Sequence, residues 1–284
     1  MNPKLRIILV ISAFVMAIAL PAYWYIDYRN SVERAARETE QRLTTRVTEL
    51  TQYAESWLDK RVSLLRQKAA SEDVQSMASW RQTPILQILA REHHYISEVM
   101  IVDLEGKAIA RSDELPLKTY ADRKWFSDTI KGDLYGSDVT VSRVKGIPSW
   151  ALAVPIVSSD KKVHGVLVMK IDLSKFSDSV PNLKFEKTGY SFILNDKNQV
   201  IVHSNKAFTG VLADFNSHPA VMALGNKERQ KVVFQDGFSF KKVMAIAQKT
   251  KHGWTVVAQQ DHEEAYAEVH NSMIGSFENL FSKK

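Results

Sequence analysis

The chain opens with an unbroken apolar run. After Lys4 and Arg6, residues Ile7 to Ile26 carry no charge and are almost wholly apolar. A helix rising about 1.5 Å per residue over this run would cross a hydrocarbon core of about 30 Å. The two cations before the run place the N-terminus in the cytoplasm, and Tyr23, Trp24 and Tyr25 form an aromatic belt at the far interface. The alternative is a cleaved signal peptide, cut after Ala17-Ile18-Ala19 or near Ala22. Either way the rest of the chain lies outside the cytoplasm, and no second apolar run of that length follows.

From Asn30 to about Ala70 the pattern reads as one long helix, free of Pro and Gly and rich in Glu, Arg, Gln and Ala. Leu43, Leu50, Trp57 and Leu64 recur every seven residues, with Val47 and Ala54 between them and Arg61 interrupting the second row. This narrow stripe suits a paired helix in a homodimer or packing along the domain that follows. A second helical stretch, about Glu72 to His94, is expected to be interrupted at Thr83-Pro84, where Pro starts a new helix.

The period then drops to that of strands. Residues 98 to 112 read as two strands joined by a tight turn at Leu104 to Lys107. Further strands follow at 138 to 142, 150 to 157 and 165 to 173, separated by turn signals at Lys145-Gly146 and Ser158 to Lys162. Short connections imply an antiparallel meander with helices on one side, an α+β arrangement.

The second half repeats this plan. Ser191 to Ser204 aligns without gaps on Val99 to Ser112, at an offset of 92. His252-Gly253-Trp254 echoes His164-Gly165-Val166 at an offset of 88. Two such similar offsets argue for a duplicated module. The second copy continues with strands at 231 to 235, 239 to 247 and 254 to 259, then helix from His262 to about His270 and a short mixed tail. The link from Ser174 to Lys187, with Pro181, joins the copies.

Composition narrows the function. The chain is 45% hydrophobic and carries a formal net charge of +6 with no block of five basic residues, which gives nucleic-acid binding little support. It has no cysteine, which excludes disulfides, thiolate metal sites and cysteine nucleophiles and suits a bacterial envelope protein. No phosphate loop, nucleophile elbow or kinase signature is present. His93-His94 lacks a third ligand at metal spacing, and His262-Glu263-Glu264 lacks the second His of a zinc-hydrolase helix. No enzymatic activity, metal or cofactor is expected.

One stretch does carry chemistry. Tyr120, Arg123, Trp125 and Phe126 put a guanidinium and three aromatic groups within a few residues. A planar fork of donors beside apolar walls suits a carboxylate or phosphate, although two core aromatics and a solvated Arg would give the same spacing. Lys170 sits in a strand that is otherwise apolar on both faces, so it needs a partner or a route to water. Asp172, Asp138 and a ligand carboxylate are the candidates.

A membrane anchor, a long helix and two PAS-like modules with Tyr120-x-x-Arg123-x-Trp125-Phe126 and the Thr188-Gly189-Tyr190 entry to the second module resemble the double Cache sensor domains of bacterial chemoreceptors, histidine kinases and diguanylate cyclases. The resemblance covers about residues 30 to 270. It implies a ligand pocket in the membrane-distal module and a membrane-proximal module that couples to a second transmembrane helix. In amino-acid-binding members the Arg and Trp of this segment hold the ligand carboxylate, and Arg123 and Trp125 match them. The acidic residues that receive the ammonium fall by counting on Val141-Ser142-Arg143 and on Lys170, where cations replace them. His203 falls where the family often carries a His, with a structural role expected.

The resemblance therefore implies a small organic anion, a mono- or dicarboxylate, bound by Arg123 and Lys170, with Arg143 beside them. Tyr120, Trp125 and Phe126 would wall the site, and Thr140 and Ser142 would supply hydroxyls. The expected organisation is a transmembrane anchor (1–28), a helical stalk (29–95), the distal module with the pocket (96–180), the proximal module (181–262) and a C-terminal helix and tail (263–284). The tail is too short and polar to span a membrane. This leaves a stand-alone co-sensor signalling through a separate protein, a truncated receptor, or an envelope protein that hands its ligand on.

Overall fold

The computed structural model describes residues 3–158, 160–237, 239–264 and 266–267, the side chains of 3–10 and 13 excepted. The first helix, α1 (Pro3–Ala69), joins the expected span and stalk into one element, with Pro21 inside it. Part of the expected span, 7–10 and 13, falls on side chains outside the description. Among the described residues no helix is long and apolar enough to cross a membrane. Ile11, Phe14, Val15, Met16, Ile18 and Leu20 are all exposed.

Farther along α1 the heptad stripe turns inward. Leu43, Val47, Leu50, Ala54 and Trp57 are buried, and the buried row then passes to Leu58, Leu65 and Ala69 while Leu64 is only partly covered. That one-residue slip is the drift of about 20° per heptad that a straight 3.6-residue helix shows against a seven-residue repeat. The stripe belongs to a core that draws residues from both sheets. It is filled by the protein's own strands, so of the two expected roles the stripe takes packing along the domain that follows. Arg61 lies on the same face, with its guanidinium over the rings of Trp57 (5.4 Å) and Tyr95 (5.9 Å).

The next helical stretch is broken elsewhere than expected. It divides into α2 (Glu72–Gln75) and α3 (Ser79–Glu92), and Pro84 lies inside α3. The break falls at 76–78, where Met77 adopts a positive φ of 51°. Gln82 is fully buried and donates to the Val74 carbonyl at 2.8 Å, tying α3 back across the break.

The first sheet contains β1 (Ile96–Val102), β2 (Ala108–Arg111), β3 (Gly136–Val141), β4 (Pro148–Val157) and β5 (Val163–Asp172). Their order is β2-β1-β5-β4-β3, antiparallel throughout. Helix α4 (Lys124–Ile130) is inserted between β2 and β3, and α5 (Leu173–Ser179) leads out of the sheet. The second sheet contains β6 (Lys184–Phe185), β7 (Gly189–Leu194), β8 (Val200–His203), β9 (Arg229–Gln235), β10 (Lys242–Lys249) and β11 (Thr255–Asp261). Its order is β6-β7-β11-β10-β9, with β8 also paired to β7. Helices α6 (Lys206–Thr209) and α7 (Pro219–Leu224) lie between β8 and β9. After β11 residues 262–264 and 266–267 are helical. The rest of the expected C-terminal helix and tail lies outside the described residues.

The duplication extends to individual hydrogen-bonded pairs. Met100 pairs with Arg111 and Ile101 with Ala110; Phe192 pairs with His203 and Ile193 with Val202. Both ladders shift register at the same step, after Ile101 and after Ile193. The second offset is corrected by one residue. Glu98 faces Lys170 across β1 and β5, whereas Tyr190 faces Gln259 across β7 and β11, so the sheets correspond at 89 and not 88. Trp57, Trp150 and Trp254 bind the halves together: Trp150 lies 5.3 Å from Trp57 of α1 and 4.8 Å from Trp254 of the second sheet, centroid to centroid.

Candidate functional site in the first sheet

One face of the first sheet packs on α1 and the other on the segment leading into α4. Directly opposed residues of an antiparallel pair share a face, and alternate residues along a strand do too. Lys170 faces Glu98 on one side and Ala151 on the other, Ala151 faces Asp138, and Ser149 faces Thr140. Lys170 and Thr140 therefore share the face away from α1. Ala151 and Ala153 leave its centre shallow, and Tyr120, Trp125 and Phe126 close over it, each at most 3% exposed.

Two close backbone approaches hold that cover. The Tyr120 N–H donates to the Gly106 carbonyl at 2.6 Å, and a Cβ added at Gly106 would lie 2.6 Å from Ala121. Gly136 runs under α4, where an added Cβ would land on the carbonyl oxygen of Trp125. Tyr120 and Trp125 then pack 5.8 Å apart.

Lys170 is not an unpaired cation. Its ammonium meets the carboxylate of Glu98, whose other oxygen accepts from Arg111. All three side chains are almost wholly buried. Neither sequence candidate serves: Asp172 caps α5 by accepting from the N–H of Ser174 (3.0 Å) and Lys175 (3.2 Å), and Asp138 pairs with Lys197 at 3.3 Å. Arg111 Nε also donates to Asp113 at 2.8 Å, and Lys145 Nζ approaches Asp113 at 3.3 Å. The Lys170 ammonium lies 4.5 Å from the centroid of the Tyr120 ring. Burial pushes the Lys170 ammonium below its usual value, and Glu98 opposes that push. Burial raises the Tyr120 phenol, and Glu98 adds to it. Burial acts to raise Asp113 too, yet Arg111 and Lys145 hold its carboxyl below the usual range.

Of the eight residues read from the sequence, Tyr120, Trp125, Phe126 and Lys170 converge. Arg123, the N-cap of α4, stands half-buried at the rim; its side-chain hydrogen bond, to the Val141 carbonyl, is long at 3.4 Å. Its charge is nonetheless felt at Lys170. Arg143 is exposed at the rim, 5.9 Å from the Tyr120 ring, and is held by Asp122 and by the Thr119 carbonyl. Ser142 is committed to its own turn, where its hydroxyl accepts from the Lys145 N–H at 3.2 Å. The sequence reading missed Glu98, Arg111, Asp113 and Lys145. Glu98 and Arg111 also lie in apolar strand runs, the signal that singled out Lys170, but their alignment with it depends on strand register. Four cations (Lys170, Arg111, Lys145, Arg143) pair with three carboxylates (Glu98, Asp113, Asp122), and Arg123 stands at the rim as a fifth.

A model of the Cache domain (dCache_1) matches residues 28–269. The chain belongs to the Cache domain family. Its structural neighbours are extracellular sensor domains of chemoreceptors and histidine kinases. The extracellular domain of the putative histidine kinase rpHK1S-Z16 is 18% identical, with 82% of this chain and 98% of that one covered and a TM-score of 0.63. The ligand-binding domain of Campylobacter jejuni chemoreceptor Tlp3, solved with L-norvaline, is 15% identical over 82% and 94% of the chains, TM-score 0.62. That of Pseudomonas aeruginosa PAO1 amino acid chemoreceptor PctB, solved with L-Gln, is 14% identical over 84% and 98%, TM-score 0.60. No curated protein matches the chain. At these identities the likeness establishes the Cache fold.

Outside this face the remaining sequence candidates have structural surroundings. His93 caps α3 and stacks on Tyr95, and His94 Nε2 lies 3.2 Å from the Ser179 hydroxyl. His203 is buried among Tyr190, Phe192 and Phe208, and its Nδ1 accepts from the Asn205 N–H at 2.8 Å. Among the described residues no group of three His, Asp or Glu is placed to hold a metal ion.

Proposed function

We propose that this Cache protein is a membrane-anchored extracytoplasmic sensor that binds a small organic anion, a mono- or dicarboxylate, in its distal module without catalysing a reaction on it. One observation carries the reading. Arg123 stands at the rim with donors to spare, beside Trp125 and a cluster in which cations outnumber carboxylates. A carboxylate entering there gains charge-assisted hydrogen bonds and relieves repulsion among the cations. Arg123 is its first contact, and Lys170 becomes available to the extent that the ligand replaces Glu98. The apolar run at 7–26 is the anchor, and a separate protein receives the signal if none follows in the same chain. Transmission requires that the ligand bind one arrangement of the modules on α1 more tightly than the other.

An amino-acid ligand is the second reading. It is favoured by Glu98, a buried carboxylate on the same face, and by the amino acids bound in Tlp3 and PctB. Against it, both Glu98 oxygens already face cations, so an ammonium would have to displace Arg111 or Lys170.

A thermal-shift series on the full chain with mono- and dicarboxylates, amino acids and amines separates the two. A ligand at 100 times its dissociation constant adds about 2.7 kcal/mol of stability. Carboxylates without an amine should shift the protein, and Arg123→Ala should abolish the shift. A shift from amino acids alone, retained in Glu98→Gln/Lys170→Met, would reject the organic-anion reading.

A further inference from the structure

The turn between β9 and β10 holds a phenyl ring outward on a backbone that ill suits it. Phe240 is 75% exposed and adopts a positive φ of 57°. Glycine takes that conformation readily, whereas a bulky side chain rarely does. The turn is nevertheless firmly tied. The Asp236 carboxylate accepts from the N–H and the hydroxyl of Ser239, both at 2.7 Å, and the Phe240 N–H donates to the Asp236 carbonyl at 2.9 Å. Lys241, paired with Asp261, and the exposed Lys242 follow the ring.

Contacts with α1 set the height of this turn. At the other end of β10, Lys251 pairs with Asp59 of α1 at 2.6 Å. Along β9, Arg229 Nη2 donates to the Thr48 hydroxyl at 3.0 Å, and Lys231 Nζ pairs with Glu40 at 2.6 Å. The second sheet therefore descends α1 toward its N-terminus as β9 runs toward the turn. A strand advances about 3.3 Å per residue and a helix about 1.5 Å, so each strand residue passes about two helix residues. Continuing from Lys231 through Gln235 and into the turn brings Phe240 roughly level with Asn30. The cover on α1 ends at the same height: Ser31 and Val32 are half-buried, and residues 25–30 are exposed. The apolar run closes at Ile26, about 6 Å farther along the helix. A bilayer that holds the run presents its headgroup zone at that height, where aromatic rings and lysine stems settle.

We propose that the β9–β10 turn is a membrane contact, with Phe240 seated in the interfacial zone of the bilayer that holds α1. The proposal rests on the reading of the apolar run as an anchor. Asp236, Asp261 and Glu263 lie close to Lys241 and offset the two lysines, so the ring and not headgroup charge carries the contact. Met244 and Ile246 of β10 belong to the core that includes α1, so the contact fixes the second module against the membrane surface.

The chain has no cysteine, so a single introduced thiol carries a polarity-sensitive fluorophore without background. A Cβ added at Gly237 meets nothing within 4 Å, so Gly237→Cys labels the turn without disturbing it. The full chain is reconstituted in phosphatidylcholine vesicles, with or without bromines near the headgroup end of the acyl chains. The label at 237 should emit to the blue and be quenched by the brominated lipid, and Phe240→Ser should reverse both. Ser79→Cys, exposed beyond the far end of α1, should report water throughout. Adding anionic phosphatidylglycerol should change neither label. A label at 237 that reports water, in protein that resists alkaline extraction, overturns the contact and spares the anchor. Protein released by alkali overturns both. A shielded label that brominated lipid does not quench assigns the turn to a protein partner, such as a second copy, and overturns the proposal. So does a signal unmoved by Phe240→Ser, or one that appears only with phosphatidylglycerol.

Discussion

Glu98 and Lys170 are direct cross-strand partners on β1 and β5, buried and joined carboxylate to ammonium. Taking two charges out of water costs nearly as much as their attraction returns, so the pair adds little net stability as a unit. Removing one member is different, because it strands the other charge. Arg111 and Asp113 extend the pair into a chain of alternating charges beneath Tyr120.

The pair should therefore behave as a strongly coupled unit. Lys170→Met alone should destabilise the protein by about 3–5 kcal/mol, and Glu98→Gln by a comparable amount. The double variant should lose clearly less than the sum, with a coupling of about 1 kcal/mol or more. Denaturant titration of the four proteins measures this. Additive losses would mean the two side chains do not share their charge in solution.

Two arginines near the site should separate by role. Arg111 is 4% exposed and bonded to Glu98 and Asp113, so Arg111→Ala should cost about 3–5 kcal/mol. Arg123 has one long hydrogen bond at the rim, and Arg123→Ala should change stability by about 0.5 kcal/mol or less. Melting curves without ligand decide the matter, since a large loss in Arg123→Ala would assign that residue to the fold.

Gly136 controls the cover from below. A methyl there meets the Trp125 carbonyl and the Thr129 hydroxyl, both in α4. Gly136→Ala should lift α4, cost about 1–3 kcal/mol, and raise the solvent exposure of Trp125. Tryptophan fluorescence with an otherwise unchanged far-UV spectrum is the expected signature. An unperturbed spectrum and stability would show that α4 has room to yield.

The second module should be the acid-sensitive one. Burial lowers His203 and His218 from 6.5 to about 4. Each Nδ1 accepts a backbone N–H, from Asn205 and Ala220 respectively, and protonation removes that acceptor. Lys184 lies near His203, and the two rings oppose each other's charge, while Asp236 near His218 partly offsets the effect. The unfolded chain binds these protons near pH 6.5 and the folded chain only near pH 4. Stability should then fall as pH drops through that window, by up to about 3 kcal/mol per ring. Below about pH 4 the loss from the histidines levels off, and the loss from paired carboxylates such as Asp113 and Glu264, both held below their usual values, takes over. His203→Asn keeps an acceptor without a titrating ring and should flatten the slope between pH 6.5 and 4. A slope unchanged by that variant would remove His203 from the account.

Much of the fold was legible because it is written locally. The long helix follows from a stretch without helix breakers, the strands from their short apolar period, and the duplication from an offset of 92 that the hydrogen-bonded pairs reproduce, with its register shift in the same place. The segment at 120–126 stood out as a candidate for the same reason: its guanidinium and rings are close in sequence. The helix break was misplaced because Pro84 is a visible breaker, whereas the break at 76–78 turns on a positive φ at Met77, a residue that does not announce one.

What a side chain faces across the sheet is a non-local matter, and there only the tertiary structure decided. The heptad stripe of α1 fits a partner helix as well as a sheet face; the sheets, once formed, claim it. Lys170 demanded a partner on electrostatic grounds alone, since a buried ammonium must be paired. That the partner is Glu98 depends on β5 lying beside β1 in one particular register. A shift of one residue would turn the two charges to opposite faces of the sheet.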